Sequence, residues 1–281
     1  MKVKRPVLRY HGGKWKLAPW IISHFPSHRV YVEPFGGAAS VLLRKTRSYA
    51  EVYNDLDGET VNVFRVLQSP RSAEALTRLL ALTPFARAEF ELAYQPATSR
   101  VERARRTIIR SFMGFGSAAA TGAATGFRSC SNRSGTTPAH DWANFSPCVA
   151  AFTERLQGVV IENRDAAECM AQHDGPDTLH YVDPPYVFET RSKGTPYCKK
   201  HQYRHEMTDE EHQSLAEAMK GLAGYVVVSG YRCELYDDLY RGWKRIDRSA
   251  HADGARDRVE SLWLNERASA QTTLDLECGA A

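Results

Sequence analysis

The 281-residue sequence predicts an α/β fold, a doubly wound sheet interrupted by a mainly helical insertion, and three observations predict it. Short runs rich in Val, Ile and Tyr end on acids and alternate with helical stretches, the pattern of a sheet covered by helices on both faces. The alternation breaks between Ser69 and Pro147, where helical periodicity dominates to about Phe115 and a Gly/Ala/Ser/Thr-rich stretch, 116–137, follows. With 43% hydrophobic and 25% charged residues, the composition excludes wholesale disorder and fibrous repeats.

Taken in order, residues 29–33 and 50–55 read as strands ending on Glu33 and on Asn54-Asp55, with a helical stretch expected over 40–45 between them. That is a β-α-β opening. Further strands are expected at 158–161, 179–182, 225–229 and 260–265. Thr208-Asp209-Glu210-Glu211 is a capping box, so a helix starts there, runs to Lys220 and stops at Gly221. Residues 268–281 are expected as a frayed, flexible tail. The chain thus divides into a main domain, 1–68 with 148–267, and an insertion, 69–147.

A net charge of +4 tolerates a polyanionic partner without demanding one. The six cysteines are scattered without a C-x-x-C pair, which fits reduced thiols in the cytoplasm better than a disulfide framework. No apolar run reaches transmembrane length, and the basic N-terminus lacks the apolar core of a signal peptide. The expectation is a cytoplasmic protein without a membrane partner and without an evident obligate protein partner.

The most informative stretch is Leu179-His180-Tyr181-Val182-Asp183-Pro184-Pro185-Tyr186. A strand interior does not hold Pro, so Asp183 falls where the sheet stops and a loop begins. Pro185 has no N–H, and φ is fixed at both prolines, which pre-sets the Pro184 carbonyl. Asp183 and that carbonyl make two acceptors for an exocyclic amine, and Tyr186 supplies a ring on which a base can stack. A Pro-Pro turn closing an edge strand is the plainer alternative for the same residues.

Tyr31-Val32-Glu33-Pro34-Phe35-Gly36-Gly37-Ala38-Ala39-Ser40 is a strand followed by a small-residue turn that lets a ligand approach the backbone. About twenty residues on, Asp55 ends the next strand, where an acid can accept from both hydroxyls of a ribose. An adenosine-bearing cofactor follows, and the spacing serves a nicotinamide dinucleotide or S-adenosylmethionine equally. Upstream, Tyr10-His11-Gly12-Gly13-Lys14 offers a second glycine turn, with Lys14 to meet a carboxylate and Tyr10 to stack on a purine or a sulfonium.

Taken together, Tyr10 to Lys14, Glu33 to Ser40, Asn54-Asp55, Asp183 to Tyr186 and Val226 to Tyr231 resemble, in this order, the motif series of Dam-type DNA adenine-N6 methyltransferases. The resemblance covers most of the chain outside the insertion. It implies a Rossmann-like methyltransferase sheet with a target-recognition insertion, and S-adenosylmethionine held by Tyr10, Lys14, Glu33, Phe35, Gly37 and Asp55. It also implies that Asp165 contacts the adenine of the cofactor and that Asp183 links cofactor and target. Asp183, Pro184, Pro185 and Tyr186 are then the catalytic set, acting on an adenine flipped out of double-stranded DNA. Two departures stand out: Tyr10 where the best-known members carry Trp, and Ala39 where the motif has a second spaced Gly. An RNA or other amine methyltransferase, or a nicotinamide-dependent oxidoreductase, is the alternative on the same fold.

Arg103, Arg106 and Arg110 recur at helical spacing and are expected to form a phosphate stripe. Arg128, Asn132 and Arg133 in the polar loop, and Lys199, Lys200 and Arg204 beside the Asp-Pro-Pro-Tyr corner, are the other candidate DNA contacts. Cys198, His201 and His205 supply only three ligands where a structural zinc site takes four, so no metal is expected.

Overall fold

The computed structural model describes residues 2–116, 125–130, 135–190, 204–251 and 257–279. After α1 (Ala18–Ile22), β1 (Val30–Glu33) and β2 (Ala50–Asn54) form the expected opening pair. There follow α2 (Gly58–Gln68), α3 (Pro70–Ala81), α4 (Arg87–Leu92), α5 (Arg100–Met113), α6 (Pro138–Ala143) and α7 (Val149–Leu156). The alternation then resumes with β3 (Val159–Glu162), α8 (Ala166–Gln172), β4 (Thr178–Val182), α9 (Asp209–Lys220) and β5 (Tyr225–Tyr231). α10 (Glu234–Leu239), β6 (Lys244–His251), β7 (Asp257–Leu264) and α11 (Glu266–Gly279) complete the described chain.

The seven strands lie in the order β3-β2-β1-β4-β5-β7-β6. β3, β2, β1, β4 and β5 pair in parallel, and β7 inserts antiparallel between β5 and β6. Alternate residues of one strand serve opposite faces, as the pleat requires. Tyr181 and Val227 enter the cluster shared with α2, α3, α5 and α7, whereas Val182, Val226 and Val228 pack with Leu215, Ala216 and Met219 of α9. Helices therefore cover both faces, which makes this a Rossmann-like sheet. Among the described residues no helix is long and apolar enough to cross a membrane.

The capping box forms as expected: Thr208 Oγ1 accepts from Glu211 N at 3.3 Å, and the Glu211 carboxylate accepts from Thr208 N at 2.7 Å. Three elements differ from the sequence reading. Residues 40–45 make successive turns rather than a helix: Ala39 enters at φ +53°, and Leu43 N and Lys45 N bond four residues back while Arg44 N bonds three back, to Val41 O. β6 was not anticipated, since Ile246 is the one large apolar side chain in 244–249 and β7 supplies its pairing. The expected tail begins as α11: Asn265 Oδ1 accepts from Ala268 N at 2.9 Å, and Ala268 is fully buried.

Candidate active site

β1, β2 and β4 run parallel, so their C-terminal ends share one edge, and the strand order reverses between β1 and β4. A crevice opens at such a switch point. A cavity of about 350 Å³ lies there, and Tyr10, Lys14, Glu33, Phe35, Gly37, Asp55, Asp165 and Asp183 all line it. Every candidate cofactor residue is thus brought to one place, with Pro185 beside them.

Glu33 ends β1 and is buried. Its Oε2 accepts from the Tyr31 hydroxyl at 2.7 Å and from Leu42 N at 2.9 Å. Burial pushes its carboxyl up to about 8, against those hydrogen bonds and with the help of the Asp183 charge. Asp55 follows β2 directly, accepting from Gly37 N at 2.7 Å through one oxygen and from Asp57 N at 2.8 Å through the other. Desolvation pushes its carboxyl up to about 6, although both backbone donors favour the charged form.

The turn between these acids is held by close packing. A Cβ on Gly36 would fall 2.1 Å from the Tyr53 ring, and the Tyr53 hydroxyl donates to Gly37 O at 2.8 Å. Gly37 itself sits at φ +47°, and a Cβ there would meet the Tyr10 ring at 3.1 Å. Asn54 ties the neighbouring loops together. Its carbonyl accepts from Gly36 N at 2.7 Å, its Nδ2 donates to Pro34 O at 2.9 Å and to Arg164 O at 3.0 Å, and its Oδ1 accepts from Arg164 N at 3.0 Å. Asp165 then caps α8 by accepting from Ala167 N at 2.9 Å and Glu168 N at 3.2 Å.

At the end of β4, Asp183 Oδ1 accepts from Ser229 Oγ at 2.7 Å and faces Lys14 Nζ at 3.0 Å. Lys14 also donates to Gly12 O at 2.7 Å, and its ammonium lies 4.5 Å from the Tyr186 ring centre. Pro184 is buried, and so is Tyr186, which sequence reasoning expected as an open stacking platform. The Tyr186 hydroxyl donates to Glu260 Oε2 at 2.8 Å, and Tyr231 meets its ring edge-on at 4.6 Å. Burial raises the Glu260 carboxyl, and the Lys14 charge opposes that shift.

The candidate DNA contacts are placed differently from an open stripe. Arg103 pairs with Glu59, Arg106 with Glu102 at 2.7 Å, and Arg204 with Asp57 at 2.9 Å. Arg110 is 8% exposed and donates to Ala93 O and to Thr107 Oγ1. Arg128 is likewise buried, its guanidinium on Phe112 O at 3.2 Å, near the C-terminus of α5 where a helix favours a cation. Asn132, Arg133, Lys199, Lys200, Cys198 and His201 lie outside the described residues.

Sequence reasoning did not single out Ser229 and Glu260. Ser229 follows Val228, the register partner of Val182, so strand adjacency puts it beside Asp183. Glu260 comes with β7, opposite Tyr231 of β5. An acid inside a strand that ends at a site was the available signal.

The model of the D12 class N6 adenine-specific DNA methyltransferases matches residues 10–252. The DNA adenine methylase of Serratia marcescens is 34% identical over 68 residues, 24% of this chain and 25% of that protein. The DNA adenine methylase of Vibrio cholerae serotype O1 is 36% identical over 73 residues, 26% of each chain. The matched stretch spans about a quarter of the length of these curated relatives. A family match over most of the chain, on a sheet whose switch point gathers Lys14, Glu33, Asp55 and Asp183, places this protein in the D12 class N6 adenine-specific DNA methyltransferase family.

Proposed function

We propose that the chain transfers a methyl group from S-adenosylmethionine to N6 of adenine in double-stranded DNA, with the target base flipped out of the helix. The observation that carries this reading is the single cavity that joins the Asp55 and Glu33 end to Asp183. Its volume falls in the range of small-molecule sites, about 300–1,000 Å³. The cradle suits an adenosyl group: the backbone at Gly37 passes under the Tyr10 ring, where a side chain would not fit, and Asp55 presents a carboxylate for ribose hydroxyls. Asp165 lines the same wall and would meet the adenine; Phe35, Glu33 and Lys14 would surround the methionine end.

The cofactor supplies a methyl carbon activated by a sulfonium. What the protein must do is make a poor nucleophile attack it, because the lone pair of an adenine amine is delocalised into the ring. Asp183, oriented by Ser229, and the Pro184 carbonyl would accept the two N–H groups of that amine. Two acceptors localise the lone pair and stabilise the charge that grows on nitrogen, an effect worth about 10²–10³ in rate for one preorganised group. Pro185 fixes the turn, and for Tyr186 to stack on a base extruded from the duplex its buried ring must first be uncovered. The helical region 69–147 would carry target recognition, and the scattered, unpaired Cys130, Cys148, Cys169 and Cys233 suit a cytoplasmic setting.

The test is transfer of a labelled methyl from S-adenosylmethionine to duplex DNA, read by nucleoside analysis. N6-methyladenine is expected with the wild type, and Asp183→Ala should lose it while its thermal unfolding stays cooperative. Transfer at near wild-type rate by Asp183→Ala, or label on another base, would overturn the reading.

A further inference from the structure

Beside the cofactor cavity lies a second one, of about 370 Å³, between the start of α2, α5 and the segment 94–97. Four arginines, Arg103, Arg106, Arg110 and Arg204, line it against one carboxylate, Glu59. Arg103, Arg106 and Arg110 share one side of α5, and folding adds Arg204 from a distant part of the chain. Like charges held this close repel unless something anionic lies between them. The protein supplies only part of that compensation. Glu59 holds Arg103, Glu102 holds Arg106 at 2.7 Å and Asp57 holds Arg204, while Arg110 is held by the neutral oxygens of Ala93 and Thr107.

Arg110 is the informative member. It is more than nine-tenths buried, its two terminal nitrogens are used by Ala93 O and Thr107 Oγ1, and its Nε is buried with no hydrogen-bond partner. A buried donor without an acceptor is uncommon in a folded protein and asks for a ligand atom. The other arginines keep partial access to solvent, with side-chain exposures of 36% for Arg103, 13% for Arg106 and 39% for Arg204. A planar guanidinium fork matches the oxygens of a phosphate, and several around one cavity match a tetrahedral one.

We propose that this cavity seats a phosphoryl group, and that its source is a backbone phosphate of the DNA substrate. The inference rests on the DNA-methyltransferase reading and adds to it a defined subsite. Arg204 lines both cavities. Its partner Asp57 donates its backbone N–H to Asp55 at 2.8 Å, so the phosphate seat and the cofactor acid are joined through one ion pair and one hydrogen bond.

The experiment measures affinity of the full-length protein for a 20-base-pair duplex against salt concentration, by fluorescence anisotropy, for the wild type, Arg103→Gln, Arg106→Gln and the double variant. Each phosphate contact removed should flatten the slope of log K on log salt by about 0.9. Arg110→Lys, which keeps the charge but loses the Nε donor position, should weaken duplex binding severalfold with less change in slope. S-adenosylmethionine affinity and thermal midpoint, measured on the same samples, report folding. Inorganic phosphate is titrated in parallel.

A double variant that folds, binds S-adenosylmethionine and keeps the wild-type salt slope would overturn the subsite even if the wild type methylates adenine. Loss of slope in variants of a protein that methylates no adenine would keep the subsite and sink the reaction. Phosphate binding that needs the arginines, combined with duplex binding that does not, would overturn DNA as the source.

Discussion

Lys14 Nζ lies 3.0 Å from Asp183 Oδ1 and 4.5 Å from the centre of the Tyr186 ring, so one ammonium touches both groups assigned to the target base. Its charge also reaches Glu260, whose carboxyl burial raises and Lys14 holds back, whereas Glu33, raised chiefly by burial, has Lys45 as its opposing cation. Lys14→Met leaves Asp183 and Glu260 without that cation. Breaking a buried pair of this kind costs roughly 3–5 kcal/mol. Denaturant unfolding at pH 7 should show that loss, and the deficit should shrink as the pH falls and the raised Glu260 carboxyl takes up a proton.

Glu33 makes stability depend on pH. Its folded value is raised from the ordinary 4.5 to about 8, so the native state holds a proton that the unfolded chain releases. Its contribution is fully present below about 4.5 and is lost as the pH rises towards 8. Glu33→Gln keeps an oxygen for the Tyr31 hydroxyl and Leu42 N but has no charge to bury. Relative to the wild type, the variant should gain on the order of 3 kcal/mol between pH 5 and pH 8. A parallel pair of stability curves across that range would contradict the assignment.

On the proposed function, Asp55 should make cofactor binding depend on pH in the same range. A carboxylate accepts from ribose hydroxyls and a protonated acid does so less well. With a carboxyl raised to about 6, affinity for S-adenosylmethionine should fall roughly tenfold between pH 7 and pH 5. Calorimetric titration should show that slope in the wild type and none in Asp55→Asn, whose affinity is low throughout.

Gly36 and Tyr53 are mutually exclusive in volume. A methyl at Gly36 would fall 2.1 Å from the Tyr53 ring, so Gly36→Ala must push the ring or bend the turn, at about 1–3 kcal/mol. The same substitution should cost measurably less in a Tyr53→Leu background, because the colliding atoms are gone. Equal costs in the two backgrounds would place the strain elsewhere.

The sheet was legible because its central strands are short β-branched or aromatic runs that end on an acid or on turn residues. Glu33, Asp55 and Asp183 could be found from those ends, and the parallel pairing of β1, β2 and β4 put them on one edge. What pattern alone missed depends on tertiary neighbours. The Ser40 to Lys45 stretch has helical composition, yet the left-handed Ala39 before it breaks the run of helical dihedrals and its hydrogen bonds mix four- and three-residue turns. β6 has too few apolar side chains to show alternation and is paired by β7. The arginines of α5 have the spacing of a surface stripe, but Arg110 turns inward to Ala93 O while Arg204 arrives from beyond β4. Ala39, the departure from the expected glycine, occupies a left-handed conformation at φ +53° that explains why glycine suits this position.

Asn54 also has a dynamic consequence. Because a single side chain is bonded to the segments after β1 and β3 while its own backbone accepts from Gly36, none of these segments can open alone. The amides of Gly36 and Arg164, 128 positions apart in the chain, should exchange with deuterium as one cooperative unit, and Asn54→Ala should uncouple them.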